Sequence, residues 1–194
     1  MNEPWKFIKE VYSFKDLPID EIPEFIFWGR SNVGKSSLIN SITKKKIAKT
    51  SRTPGRTRSL VLFQYKKDLR IIDLPGYGYS KISKKKIAEI DTLLDKYLKE
   101  RKNLKKIFIL LDSRHLLKPI DQLILDHLNK VTNKDIFLIF TKKDKIKNQT
   151  EIKKTNIEIE KIKKKTNKKI FNTSIKESNG IILLKKFLFN SLEK

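Results

Sequence analysis

Eight residues, Gly29-Arg30-Ser31-Asn32-Val33-Gly34-Lys35-Ser36, restrict what this chain can fold into more than any bulk property. They follow a short apolar run, Glu24-Phe25-Ile26-Phe27-Trp28, and lead into SSLINSI (Ser36 to Ile42), whose apolar residues recur at helical spacing. The stretch therefore reads as a strand, a tight glycine loop and a helix, the context that G-x-x-x-x-G-K-[ST] requires to bind phosphate. The residue types follow from the chemistry. Glycines let backbone N–H groups close around phosphate oxygens, and the helix N-terminus adds a favourable dipole. Lys35 is expected to reach the β and γ phosphates and the Ser36 hydroxyl to ligate Mg²⁺.

The rest of the chain alternates strand and helix patterns. SLVLFQY (Ser59 to Tyr65) and LRIID (Leu69 to Asp73), separated by Lys66, Lys67 and Asp68, predict a hairpin. KKIFILLD (Lys105 to Asp112) and DIFLIFT (Asp135 to Thr141) are continuous apolar runs, as expected of parallel strands buried on both faces. Helices are predicted near Ser83–Arg101, Ile120–Val131, Thr150–Lys164 and Ser178–Leu192, with a short strand in KKIFNTS before the last. This order implies an α/β doubly wound sheet with ligand loops at the carboxyl ends of the strands. Residues 1–22, mixing acids, prolines and isolated aromatics, read as an arm lying over the surface of a single domain at 23–194, with little regular structure beyond a short strand.

Two later segments bear on which nucleotide is bound. Asp73-Leu74-Pro75-Gly76 follows the third strand of the reading, where a carboxylate can hold a water of the Mg²⁺ shell and the Gly76 N–H can meet a γ-phosphate. Thr141-Lys142-Lys143-Asp144 follows the fifth. An ionised Asp144 only accepts, so it can take both N1–H and the exocyclic amine of guanine, whereas adenine would set acceptor against acceptor at N1. Thr173-Ser174-Ile175, after the last strand, is placed to offer backbone N–H to guanine O6. GTP and GDP are the expected ligands. Rival readings are a P-loop ATPase or nucleotide kinase, disfavoured by Asp144, and a non-enzymatic RNA-binding module in which the nucleotide is structural.

Charge bears on that last rival. With 45 Lys and Arg against 22 Asp and Glu the chain carries +23, a body drawn to polyanions. Residues 1–24 are net −3, so the remainder holds +26, dense around Lys81–Lys106 and Lys142–Lys169 and spread over several faces. With no Cys and only His115 and His127, thiolate zinc and cysteine chemistry are excluded and any metal is expected to be held by oxygen. No apolar run approaches the roughly 20 residues of a membrane span, and the N-terminus lacks a signal-peptide core, so a cytoplasmic protein is expected; a monomer is expected separately, on no particular motif.

Taken together, PEFIFWGRSNVGKSSLIN, TSRTPGRTRSL, IDLPGYGYSK, TKKDK and FNTSIKE resemble the EngB family of bacterial Ras-like GTPases over about residues 23–190, with TPGRT and DLPGYGY specific to that family. The resemblance implies a six-stranded, mostly parallel G domain with one antiparallel strand. It implies GTP hydrolysis, assistance to assembly of the large ribosomal subunit (rRNA and proteins), and a need for the protein in cell division and septation. It also places a second Mg²⁺ ligand at Thr57 and lines the γ-phosphate with Gly55, Arg56, Thr57, Arg58 and Ser59. Trp28 departs from the small residue usual there, and Ile175 from a leucine.

Catalysis is less legible. Ras-like enzymes commonly orient water with a Gln directly after D-x-x-G; here that residue is Tyr77, so slow intrinsic hydrolysis is expected. Related GTPases with Asn at the position of Asn32 use a potassium ion there, so Asn32 joins Lys35, which reaches the phosphates, and Thr57, the switch-loop threonine of the resemblance, as a catalytic candidate. Arg56 and Arg58 read as solvated switch residues or rRNA contacts, Tyr77 and Tyr79 as packing for the second switch, and His115 and His127 as structural.

Overall fold

The computed structural model describes residues 4–49, 59–78 and 84–190. The apolar runs form the centre of one sheet: β2 (Glu24–Gly29), β5 (Leu104–Asp112) and β6 (Asp135–Thr141) pair in parallel, flanked by β4 (Leu69–Asp73) and β7 (Ile170–Asn172). β3 (Leu60–Tyr65) pairs with β4 as the predicted antiparallel hairpin, turning through Lys66 in the left-handed region at φ 46°. The crossovers are α1 (Lys35–Thr43), α2 (Lys84–Glu100), α3 (Pro119–Val131) and α4 (Gln149–Thr166), with α5 (Ser178–Asn190) following β7.

The sheet has seven strands, in the order β1-β3-β4-β2-β5-β6-β7, one more than the resemblance implied. The extra strand is β1 (Trp5–Val11), antiparallel to β3, so the N-terminal segment is part of the sheet. Its terminal residues Trp5 and Val11 are buried while Lys6, Phe7 and Ile8 stay exposed, and a bulge between Phe7 and Lys9 breaks the alternation. β3 alone runs against its neighbours on both sides, as the single antiparallel strand of the reading.

Side-chain alternation along the strands divides the core between the two faces of the sheet. Ile26 and Trp28 of β2 join Ile107, Ile109 and Leu111 under α2 and α3, where Tyr97, Leu98, Leu125 and Leu128 close the layer. Phe25 and Phe27 face the other way, with Phe108, Phe137 and Phe171 under Leu38, Ile39 and Ile42 of α1 and Leu184 and Leu188 of α5. Each fully buried side chain of this size contributes roughly 1.5–3 kcal/mol. At the amino ends of the strands, opposite the glycine loop, fully buried Glu24 accepts from Arg70 at 2.7 Å, Arg101 at 2.7 Å and Tyr97 at 2.5 Å. The carboxyl ends are thereby left for the loops that carry chemistry.

Candidate nucleotide site

The glycine loop leaves β2 at Gly29 and enters α1 at Lys35. Asn32 (φ 61°) and Gly34 (φ 106°) both adopt the left-handed region that the tight turn requires, and Val33 N–H closes it on Arg30 C=O at 3.1 Å. Ser36 stands in the first turn of α1, beside Lys35.

On the phosphate side the groups are bonded to one another. Lys35 Nζ, 8% exposed, donates to Asp73 Oδ1 at the end of β4. Burial pushes the Asp73 carboxyl up from its ordinary value, and the Lys35 ammonium opposes that rise. The following segment lies on the loop: Ser31 N–H donates to Tyr77 C=O at 3.2 Å and Tyr77 N–H to Gly29 C=O at 3.3 Å. Gly76 is required by contact, since a Cβ there would lie 2.9 Å from the Ser31 backbone. Leu74 N–H is tied to Phe27 C=O.

Trp28 proves to be the support beneath this segment. Its indole donates to Pro75 C=O at 2.9 Å and meets the Tyr77 ring edge-on, with centroids 5.4 Å apart. The Tyr77 hydroxyl donates to Asp121 Oδ1 at 2.8 Å, and burial followed by the Asp121 carboxylate pushes the phenol well above its ordinary value. Arg30 pairs with the same oxygen at 3.2 Å and reaches Leu116 C=O. One buried carboxylate at the start of α3 thus holds both the glycine loop and the residue after D-x-x-G.

On the other side, Thr141 ends β6, and its hydroxyl donates to Val33 C=O at 2.6 Å. Lys142, itself left-handed at φ 59°, extends its ammonium to Asn32 C=O at 2.6 Å. Lys143 N–H approaches Thr173 C=O at 3.4 Å. Asp144 Oδ1 accepts from Ser174 Oγ at 3.0 Å, and Ser174 Oγ accepts in turn from Lys176 N–H, which fixes the last loop. Asp144 Oδ2 is buried without a hydrogen-bond partner. Gly34, Leu38, Thr141, Lys142, Asp144, Thr173, Ser174 and Ile175 line a cleft of about 110 Å³. An acceptor without a donor in the wall of a cleft fits a ligand edge that donates.

The structure therefore brings together Gly29 to Ser36, Asp73 to Gly76, Thr141 to Asp144 and Thr173 to Ile175. Gly55, Arg56, Thr57 and Arg58 lie outside the described residues, as does Tyr79. Ser59, expected on the γ-phosphate, bonds Glu10 of β1 at 3.2 Å. His115 is exposed in a loop and His127 contacts Asp95 at 3.1 Å, both away from the cleft. Among the described residues no three His, Cys, Asp or Glu gather as a metal cage. Among the described residues, the Ser36 hydroxyl, in the first turn of α1 beside Lys35, and the Asp73 carboxylate, bonded to Lys35, are hard oxygen donors of the kind that fits Mg²⁺ completed by water and phosphate. Sequence reasoning does not place Asp112, Arg114 or Asp121 in the site, and their signal is only that they lie just beyond or at the ends of elements facing it.

Residues 24–142 match the 50S ribosome-binding GTPase family. A probable GTP-binding protein EngB of Mycoplasmopsis synoviae is 41% identical over 90% of each chain, and that of Mycoplasma genitalium 55% identical over 55% of this chain and 56% of its own. Among solved structures, a probable GTP-binding protein engB superposes with a TM-score of 0.63 at 25% identity, covering 88% of this chain and 98% of its own. Era in complex with MgGDPNP and nucleotides 1506–1542 of 16S ribosomal RNA gives 0.68 at 26% identity over 87% of this chain and 56% of its own. With a glycine loop, D-x-x-G and T-K-x-D gathered at one end of a G-domain sheet, and with relatives at this identity across nearly the whole length, the chain belongs to the EngB family of GTP-binding proteins.

Proposed function

We propose that this chain is an Mg²⁺-dependent GTPase that hydrolyses GTP to GDP and phosphate, acting as a cytoplasmic, monomeric switch in assembly of the large ribosomal subunit. The observation that carries the nucleotide part is the unpaired Asp144 oxygen in a cleft tied to the glycine loop by Thr141 and Lys142. Guanine supplies N1–H and an amine to that carboxylate; adenine does not. A ribosomal-RNA partner is supported by the likeness to Era, which was solved holding MgGDPNP and a segment of 16S ribosomal RNA, and by the +23 charge; the large subunit is supported by the match to a 50S ribosome-binding GTPase family. The need in division and septation comes with the family.

Lys35 leaves Asp73 for the β and γ phosphates, where its charge steadies the leaving oxygen. That move takes the cation from a buried carboxylate, whose place a water bound to the Mg²⁺ would fill. Ser36 and Thr57 would be the protein ligands of the Mg²⁺, which would supply charge neutralisation to the phosphates. Asn32 and Lys35 act on the developing charge, and a potassium ion at Asn32 is the aid proposed in place of a water-orienting glutamine. The Tyr77 phenol, neutral and committed to Asp121, does not act as a base, in keeping with slow turnover without an activator. Equal rates in potassium and sodium remove the ion from the scheme.

Titration with GTP, GDP and ATP tests the core of the reading. Asp144→Asn is expected to lower the preference for guanine on the order of 10³-fold. Equal affinity of the unaltered chain for ATP and GTP overturns it. For the ribosomal role, depleting the protein from cells is expected to accumulate large-subunit precursors on sucrose gradients, and a normal subunit profile overturns that part.

A further inference from the structure

The segment Asp112-Ser113-Arg114-His115, where β5 ends, takes no part in the proposed function. Asp112 is the last residue of β5 and stands beside Thr141, its register partner at the end of β6. It is 4% exposed, and its four contacts divide evenly between its oxygens. Oδ1 accepts from Arg114 N–H at 3.0 Å and Arg114 Nε at 2.9 Å. Oδ2 accepts from the Arg114 guanidinium at 2.6 Å and lies 3.0 Å from Lys142 Nζ. The backbone beneath is fixed too, with Ser113 N–H on Thr141 C=O at 3.0 Å and the Thr141 hydroxyl on Leu111 and Val33 carbonyls.

Lys142 is the adaptable member of this group. Its four-carbon stem has many rotamers, and its ammonium ties the base cleft to the glycine loop through Asn32 C=O. A cation that bridges two loops from a flexible stem retains a ligand only if something fixes where it points. Asn32 C=O by itself constrains one direction; a carboxylate at 3.0 Å, oriented bidentately from its other side, constrains a second.

We infer that Asp112, oriented by Arg114, is a positioning residue for guanine-nucleotide retention: it pins Lys142 across the junction of base cleft and glycine loop. Asp112 makes no contact with the nucleotide and acts through Lys142 alone. The inference rests on the reading of this cleft as the guanine site.

The test is the dissociation rate of a fluorescent GDP analogue from the full chain with Mg²⁺, chased by excess GDP. Asp112→Asn is expected to release it about tenfold faster, the scale of one charge-assisted bond. Both partners of Asp112 reach solvent, at 26% for Lys142 and 41% for Arg114, so this variant should fold. Lys142→Met is also expected to speed release, and the double variant to release no faster than Lys142→Met alone. Unchanged release in Asp112→Asn, or effects of the two substitutions that multiply, overturns the inference; a purely structural role would lower the melting temperature while leaving release from the folded protein unchanged. Should Asp112→Asn fail to fold, Arg114→Ala decides: about threefold faster release supports the pin, and unchanged release overturns it. Failure of the underlying reading is visible separately, as a lack of preference for GDP over ADP in the unaltered chain.

Discussion

The two ends of the nucleotide site differ in what their polar groups are bonded to. At the base end, Thr141 and Lys142 already hold the glycine loop, Ser174 holds one oxygen of Asp144, and the other oxygen is buried without a donor. At the phosphate end, Lys35 is bonded to Asp73, and Ser31 and Gly29 to Tyr77. Recognition of the base asks for little rearrangement, so its bonds translate into affinity. Recognition of a γ-phosphate asks for internal bonds to be broken first, and a ligand shifts such an equilibrium only by its difference in affinity for the two arrangements. The unequal starting points suit a protein that keeps hold of guanine while reporting on the third phosphate.

Breaking the phosphate end outright has the largest expected effect. Lys35→Met removes charge-assisted bonds to the phosphates and leaves Asp73 buried without its cation, so GTP affinity should fall by at least about 100-fold. A loss under tenfold in an equilibrium titration would mean that affinity resides almost wholly at the base end. A sharper probe is Tyr77→Phe, which removes the 2.8 Å bond to Asp121 and keeps the ring against Trp28. If this bond helps to keep the segment on the loop, affinity for GTP relative to GDP rises about three- to tenfold; an unchanged ratio shows that the hydroxyl does not oppose the γ-phosphate.

The smallest expected effect concerns acid. Burial would push the Asp112 carboxyl up, but hydrogen bonds from Arg114 and Lys142 overcome it and hold the group well below the usual carboxylate range. For a depressed carboxylate the stabilisation is present above the unfolded value, about 3.9, and is lost only as pH falls through the lower folded value. GDP release should therefore stay flat between about pH 7 and 5. Acceleration within that window would place the acid-sensitive contact elsewhere in the base end.

Much of this contrast is legible in the sequence alone. Gly29 to Ser36, the two continuous apolar strands and the hairpin carry their periods locally, and the structure reproduces them within a residue or two. The edge strand is harder to read, because the bulge after Phe7 and the consecutive exposed residues Lys6, Phe7 and Ile8 hide the alternation that Trp5 and Val11 begin. Asp112 is illegible for a different reason. Its partner Lys142 is 30 positions away, and the two meet only because β5 and β6 pair with their last residues side by side. Likewise nothing local joins Arg30 to Asp121; their meeting requires the β2–β5 pairing and the start of α3 just beyond it.

The indole beneath the D-x-x-G segment has an optical consequence. The chain contains two tryptophans, and Trp5 lies on the edge strand, packed against Tyr65 and Phe189. Trp28 alone is hydrogen-bonded to Pro75 and pressed edge-on against Tyr77. Movement of that segment must change the polarity and quenching around Trp28 and leave Trp5 untouched. With Trp5→Phe the protein becomes a single-emitter sensor of its own D-x-x-G segment, readable in real time without a label.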